Sequence, residues 1–396
     1  MKILHVIPYQ QLYPPQNGGQ LRCFHLMDKL SQNNQIDVLV YQHQSIIFKN
    51  GYSNPNINFY NVDSFKLKKG VFGLLPQKFE TSLRYRWLKK SLKGPADKLL
   101  LEFHHVVKNI SKQNRYEIII FEHIGSLSLL STLKIYQPNA KYILDAHNID
   151  HLLNEEEGKS KQVIENAMKI EYNLHNMVDT FLACSEKDKQ ILEDINKNKI
   201  KGFVVPNGVD ISGKPYIKEL SDNNTILFCG ALNTVANRTG LLWFLEHIWE
   251  ELKSQIDNIK LKVIGSGHDD DYFKKYKNDS QILFLGRVDN LYNEYKSARL
   301  SIVPLTVGSG TRLKILESMA YGLPVVSTSK GAEGVKYPEN SILISDKPET
   351  FKLNIIELLS NKEVLLEQRD AARIFVKNEF DWSLIANELN NKLVLI

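Results

Sequence analysis

Residues 308–334 read GSGTRLKILESMAYGLPVVSTSKGAEG, a glycine-bearing loop, an apolar stretch at helical spacing and a β-branched run, in that order. Gly308 and Gly310 permit backbone angles that other residues resist, so the loop can turn its N–H groups towards a ligand at the N-terminus of the helix that follows. That helix end attracts anions. Thr311 is suited to cap it, and Arg312 and Lys314 add full charges beside the partial positive charge of the helix, which suits a diphosphate better than a neutral ligand. Glu317, three residues after Lys314, shares a helix face with it one turn deeper, where its two oxygens can accept hydrogen bonds from a vicinal diol such as a ribose. The competing reading is a βα unit in which Arg312, Lys314 and Glu317 form surface ion pairs.

Outward from this stretch the same rhythm fills the chain. KILHVI, IDVLVY, YEIIIFE, KYILDA and TFLACS come first, each followed by a polar or helical segment, which predicts a parallel sheet with crossover helices. After GFVVPNGVD, residues 211–224 (ISGKPYIKELSDNN) have the composition of a linker. A second series of short runs follows: TILFCG, LKVIG, ILFLG, LSIVPL, PVVST and SILIS, with LLWFLEHIWEELK, YNEYKSA and LKILESMAYG as helices between them. Two doubly wound α/β halves are the simplest account, and no repeat of fixed period is present.

Composition narrows the class. A chain of 396 residues suits two domains, and 43% hydrophobic with 24% charged residues is the balance of a soluble globular protein. No run of about 18 uncharged apolar residues occurs. MKILHVIPY is too short for a signal-peptide core and reads as the first buried strand. Three widely spaced cysteines, Cys23, Cys184 and Cys229, argue against a disulfide framework or a zinc knuckle and for a reducing cytoplasm. A net charge of +5 is too small to imply nucleic-acid binding, so no nucleic-acid partner is expected.

The stretch 308–334 resembles the nucleotide-binding signature of retaining glycosyltransferases of family 4, which have the GT-B fold. In most members two glutamates with seven residues between them contact the donor sugar and the ribose. Glu317 matches the second, and Ser309 stands at the first, as in a branch similar to exopolysaccharide sugar transferases with a Gly-Ser-Gly-Thr-Arg loop. The resemblance covers nearly the whole chain and implies an α/β fold of two Rossmann-like doubly wound domains facing across a cleft: residues 1–206 on the acceptor side, 207–375 for the nucleotide sugar, and a C-terminal helix, 376–396, crossing back. The tail FDWSLIANELNNKL, with Trp382, is similar to that closing helix.

Further candidates lie at strand ends. NGGQLR (17–22) follows the first strand and opens a helix, so Gly18 and Gly19 allow close backbone approach to a phosphate or sugar; an ordinary glycine turn is the alternative. His123 follows IIIFE at the carboxyl end of a strand, where the family has a histidine contacting the donor sugar. LDAHNIDHL brings Asp145, His147, Asp150 and His151 close together, and without further ligands of convincing spacing it reads as a strand-end loop, with no metal. Asp269, Asp270 and Asp271 read as a solvated acidic turn. In relatives the point matching Arg287 and Val288 contacts the base, and Arg238 lies where phosphate-clamping cations occur, with exposed decoration of a helix start as its alternative.

The resulting expectation is a hexosyltransferase that takes a UDP- or GDP-sugar donor, retains anomeric configuration, needs no metal or other cofactor, and acts on a glycan or lipid-linked acceptor. His123, Arg312 and Lys314 are the candidate catalytic residues. A silent nucleotide-sugar-binding subunit, motivated by Ser309, and a nucleotide-sugar epimerase are the alternatives. Residues 66–90, KLKKGVFGLLPQKFETSLRYRWLKK, interleave eight cations with large apolar residues and suggest peripheral attachment to an anionic surface on the inner face of the cytoplasmic membrane; a solvated helix face is the alternative.

Overall fold

The computed structural model describes residues 1–9, 11–61, 103–267, 271–288, 290–308 and 313–396. The basic segment 66–90, the loop residues Ser309, Gly310, Thr311 and Arg312, and Asp269 and Asp270 lie outside the described residues. The chain divides into two compact units: Met1–His151, Ser160–Val205 and Ala386–Ile396 form the first, Leu152–Lys159 and Pro206–Ile385 the second.

In the first unit β1 (Lys2–Val6), β2 (Gln35–Leu39), β3 (Ile57–Tyr60), β4 (Ile118–Glu122), β5 (Lys141–Ala146), β6 (Thr180–Ala183) and β7 (Gly202–Val204) make a seven-stranded sheet in the order β3-β2-β1-β4-β5-β6-β7. Every pair is parallel. Helices cover such a sheet on both faces, so central strands such as β4 are buried at every residue, as their unbroken β-branched and aromatic runs require. β3 and β7 escaped the sequence reading. β3 is a short edge strand with alternating exposure, and β7 has only three residues, so neither carries an apolar run long enough to stand out.

In the second unit β8 (Thr225–Cys229), β9 (Lys260–Ile264), β10 (Ile282–Gly286), β11 (Leu300–Val303), β12 (Val325–Ser327) and β13 (Leu343–Ile344) pair in the order β10-β9-β8-β11-β12-β13, again all parallel. Helix Val235–Phe244 starts six residues before the apolar stretch that signalled it and passes through a wide turn, Leu245–Trp249, into Glu250–Gln255. Residues 211–224 differ from the linker expectation. Ile217 is 2% exposed and packs with Tyr295 and Tyr321, and the Ile217 N–H donates to the Tyr321 carbonyl at 2.8 Å, so the segment belongs to the fold of the second unit.

Each sheet reverses its direction of growth once, between β1 and β4 in the first unit and between β8 and β11 in the second. At such a point the flanking crossovers run to opposite faces and leave a crevice at the carboxyl ends of the strands. In the first unit that edge is tied to helix α1 (Gly18–Leu30) by Arg22. Its Nε donates to Asp145 Oδ2 at 2.9 Å, its Nη2 to Asp145 Oδ1 at 2.7 Å and its Nη1 to the Val205 carbonyl at 2.8 Å. Both charged side chains are 1% exposed.

Arg22→Met should destabilise the protein by about 3–5 kcal/mol because it strands a buried carboxylate, whereas Arg22→Met combined with Asp145→Leu should recover most of that loss. Urea unfolding followed by circular dichroism measures both. Equal losses in the single and double variants would show that the pair does not secure α1 to the sheet.

Candidate functional site

At the first reversal, the chain leaves β1 and enters α1 through Asn17, whose side chain caps the helix by accepting from the Gln20 N–H at 3.0 Å. Gly18 and Gly19 are the first two helical residues. Gly19 leaves room for Tyr9: a Cβ there would lie 2.1 Å from the Tyr9 hydroxyl oxygen and 3.3 Å from His147 Nδ1, so the Tyr9 side chain would have to shift. Tyr9 thus sits directly over the start of α1. Its hydroxyl is 2.5 Å from His123 Nε2, and the two rings meet edge to face at 5.6 Å.

His123 leaves β4 with φ of +63°, a left-handed conformation unusual for a side chain with a Cβ, and its ring lies 4.0 Å from that of His147. Burial is the main cause, followed by the charges of His147 and Arg22, that lowers its pKa to about 3, although Glu122 acts in the opposite direction. His123 is therefore a neutral imidazole at neutral pH, suited to hydrogen bonding and not to carrying charge.

Beneath it, Glu122 is contacted on one oxygen by His5 and on the other by His147 at 2.5 Å. Burial alone would raise the Glu122 carboxyl, but the two histidines outweigh it and hold it well below the usual carboxylate range. Cys23 Sγ lies 4.0 Å from His147 Nε2, so Cys23, Glu122 and His147 gather ligand-type atoms. Within this group His147 Nε2 and Glu122 Oε2 hydrogen-bond directly at 2.5 Å. In the strand-end cluster Asp145 pairs with Arg22, His147 with Glu122 and, at 4.0 Å, with Asp145, and His151 with Glu171 at 2.6 Å. Burial and the neighbouring Glu171 push Asp150 up to about 7, against an opposing effect of His147.

The second reversal lies between β8 and β11. Gly230, just past β8, leaves the space filled by Lys314 and Asn237: a Cβ on it would be 2.8 Å from Lys314 Nζ and from Asn237 Cγ. Lys314, near the start of helix Leu313–Tyr321, donates from Nζ to Asn237 Oδ1 and lies 5.3 Å from the Phe228 ring centroid. One turn on, Glu317 Oε1 accepts from Lys214 Nζ at 2.6 Å and Oε2 stands 3.5 Å from the Tyr295 hydroxyl. Val288 packs on the cluster that contains Tyr295, while Arg287 is exposed. Arg238 stacks its guanidinium 4.7 Å from the centroid of Tyr272. Gly308, the last described residue before the helix loop, has φ of +104°.

Each reversal therefore gathers candidates separated in sequence: Gly18, Gly19 and His123 at the first, Lys314, Glu317 and Val288 at the second. Tyr9, Glu122, Asn237 and Lys214 were not singled out from sequence. Only Tyr9 and Glu122 carried a local signal there, through their positions just past β1 and at the end of β4.

Both halves of the chain have counterparts among known proteins. A model of glycosyltransferase family 4 matches residues 77–212, and a model of glycosyl transferases group 1 matches residues 223–361. The chain is a glycosyltransferase, similar to family 4. Similar proteins include an uncharacterized glycosyltransferase of Haemophilus influenzae, 25% identical over 63% of this chain and 69% of its own length. An uncharacterized 44.6 kDa protein in the cps region of Klebsiella pneumoniae is 24% identical over 69% of this chain and 74% of its own. Among solved structures, sucrose-phosphate synthase from Thermosynechococcus elongatus superposes with a TM-score of 0.71 at 15% identity over 98% of this chain and 97% of that one. Anabaena HepE, solved in complex with UDP-glucose, gives 0.67 at 13% identity over the whole of both chains. These likenesses show the GT-B fold. No helix among the described residues of the glycosyltransferase is long and apolar enough to cross a membrane.

The Tyr9 contact predicts a specific non-additivity. Gly19→Ala should cost about 1–3 kcal/mol through overpacking against the Tyr9 hydroxyl, and less in a Tyr9→Phe background; identical costs in urea unfolding would rule out that collision. The His123 shift predicts a pH effect. Because its pKa falls from 6.5 unfolded to about 3 folded, the unfolded chain binds the extra proton between those values, so the associated stability is complete above 6.5 and is lost as pH falls towards 3. His123→Gln should thus show a shallower loss of urea midpoint between about pH 7 and about pH 4.5 than the parent protein. Parallel losses would place the acid sensitivity elsewhere.

Proposed function

We propose that this glycosyltransferase moves a hexose-type sugar from a UDP- or GDP-sugar to a hydroxyl of a glycan or lipid-linked acceptor, with retention at the anomeric carbon and without a metal ion. The observation that carries the reading is the placement of Lys314 and Glu317 one turn apart on a single helix at the carboxyl edge of the second sheet, a cation suited to phosphate followed by a carboxylate suited to a ribose. Complexes of HepE with UDP and with UDP-glucose support a uridine donor. The Klebsiella relative's place in a cps region supports a role in glycan synthesis.

In this reading Glu317 accepts the ribose hydroxyls, with Val288 and the backbone near Arg287 beside the base. Lys314, Arg312 and the helix N-terminus, with Ser309, Gly310 and Thr311 in its loop, offset the charge that grows on the departing diphosphate. Arg238 adds a further cation for the phosphates. The bond between the anomeric carbon and the diphosphate oxygen breaks, the acceptor oxygen bonds to the same carbon on the same face, and the acceptor's proton passes to the leaving phosphate. His123, neutral and held in a strained turn, is assigned to a hydroxyl of the donor sugar, and Gly18 and Gly19 allow the donor and acceptor to come close to the backbone. The basic segment 66–90 is assigned to an anionic membrane surface bearing the acceptor.

A thermal-shift panel of nucleotide sugars tests the donor class, since a ligand at 100 times its Kd should add about 2.7 kcal/mol of stability. With the donor so found, transfer should release free nucleoside diphosphate. His123→Ala should lower kcat/KM about 100-fold, as loss of one positioned hydrogen bond in a transition state does, while leaving nucleoside diphosphate binding almost unchanged. Equal losses in both would remove His123 from the sugar site. Donor binding with neither hydrolysis nor transfer would favour a silent binding subunit, and donor conversion without released nucleoside diphosphate would favour an epimerase.

A further inference from the structure

Glu317 is gripped by a residue far from it in sequence. Lys214, 103 positions earlier, places its Nζ 2.6 Å from Glu317 Oε1, with side-chain exposures of 19% for the lysine and 23% for the glutamate. The ammonium also lies 4.9 Å from the centroid of Tyr321, whose ring packs 4.6 Å from that of Tyr295. The backbone that carries it is anchored as well. The Lys214 N–H donates to the Ile211 carbonyl at 3.3 Å, the Lys214 carbonyl accepts from Arg373 Nη1 at 3.4 Å, and the Ile211 N–H donates to Asp381 Oδ2 at 3.3 Å. All of these residues belong to the second unit.

An unrestrained glutamate on a helix surface samples several rotamers, and each must be given up when a ligand demands one. With Oε1 held by the lysine, the carboxylate plane is set and Oε2 faces the Tyr295 side of the site, 3.5 Å from that hydroxyl. We infer that Lys214 is a positioning residue for the diol-binding carboxylate, acting on the nucleotide through Glu317 and not by contact of its own. The inference rests on the assignment of Glu317 to the ribose. It makes the diol affinity of this protein depend on a residue of the segment between the two sheets, outside the loop and helix that carry the other nucleotide-binding candidates.

The test uses the full chain, with UDP and 2′,3′-dideoxy-UDP as calorimetric probes. Lys214→Met keeps the stem over Tyr321 and removes the ammonium. It should weaken UDP binding about tenfold and leave dideoxy-UDP unchanged, while Lys214→Arg should restore most of the UDP affinity. Glu317→Gln should bring UDP down to the dideoxy level, and adding Lys214→Met to it should cause no further loss, because both act through one interaction. A loss of the same factor for both probes, additive losses in the double variant, or tighter UDP binding in Lys214→Met would each overturn the positioning role. If Glu317→Gln changes the affinity for UDP and for 2′,3′-dideoxy-UDP by the same factor, the ribose assignment falls first, which separates its failure from that of Lys214. Should Lys214→Met fail to fold, Lys214→Gln provides the same comparison.

Discussion

Glu122 and Asp145 are register partners at the carboxyl ends of two adjacent strands, both buried in the sheet edge where the first unit presents its candidate site. Two carboxylates taken out of water this close together repel and each loses several kcal/mol of hydration, so the edge exists only because cations and hydrogen-bond donors are supplied to both. Arg22 meets Asp145 with a two-pronged contact, and His5 and His147 take one oxygen of Glu122 each. The rest of the edge follows from that constraint. Arg22 ties α1 to the strands, and Gly19 in its first turn leaves the space that the Tyr9 hydroxyl fills. His147, ordered by Glu122, forms the floor on which the His123 ring lies.

The second unit reaches an equivalent place by a different chemistry. Its strand order has the same single reversal, yet what fills the carboxyl edge is a lysine, an asparagine and a glutamate with partners beside them. Lys314 and Glu317 are each restrained by neighbouring side chains and keep some solvent access, so the charges are oriented without being fully buried. Under the proposed function this edge binds and releases a charged nucleotide, and the compromise suits that role, since complete desolvation would cost more than the pairs return. In the first unit the candidate is a neutral imidazole, for which partial burial carries a smaller penalty.

Much of the fold was legible because parallel sheets require strands buried on both faces, which leaves continuous apolar runs that any reader of the chain can see. β4 and β8 are examples, whereas β3 and β7, at the two edges of their sheet, lack that burial and were not found. The segment 211–224 was misjudged for a related reason. Its polar composition is that of a linker, but Ile217 and Lys214 dock into the second unit, and docking of two side chains leaves no periodicity to detect.

What the sequence by itself determined is therefore the alternation of strands and helices, and with it the strand ends and helix starts at which Gly18, Gly19, His123, Lys314 and Glu317 stand. The period of an apolar pattern and the residues that interrupt it are local properties. Tertiary structure alone decided the partners. Arg22 with Asp145, Tyr9 with His123, Asn237 with Lys314 and Lys214 with Glu317 join residues 77 to 123 positions apart. Such pairs are created by the strand order, which sets side by side elements that the chain visits far apart, so their charges and distances come into being only when the sheets form.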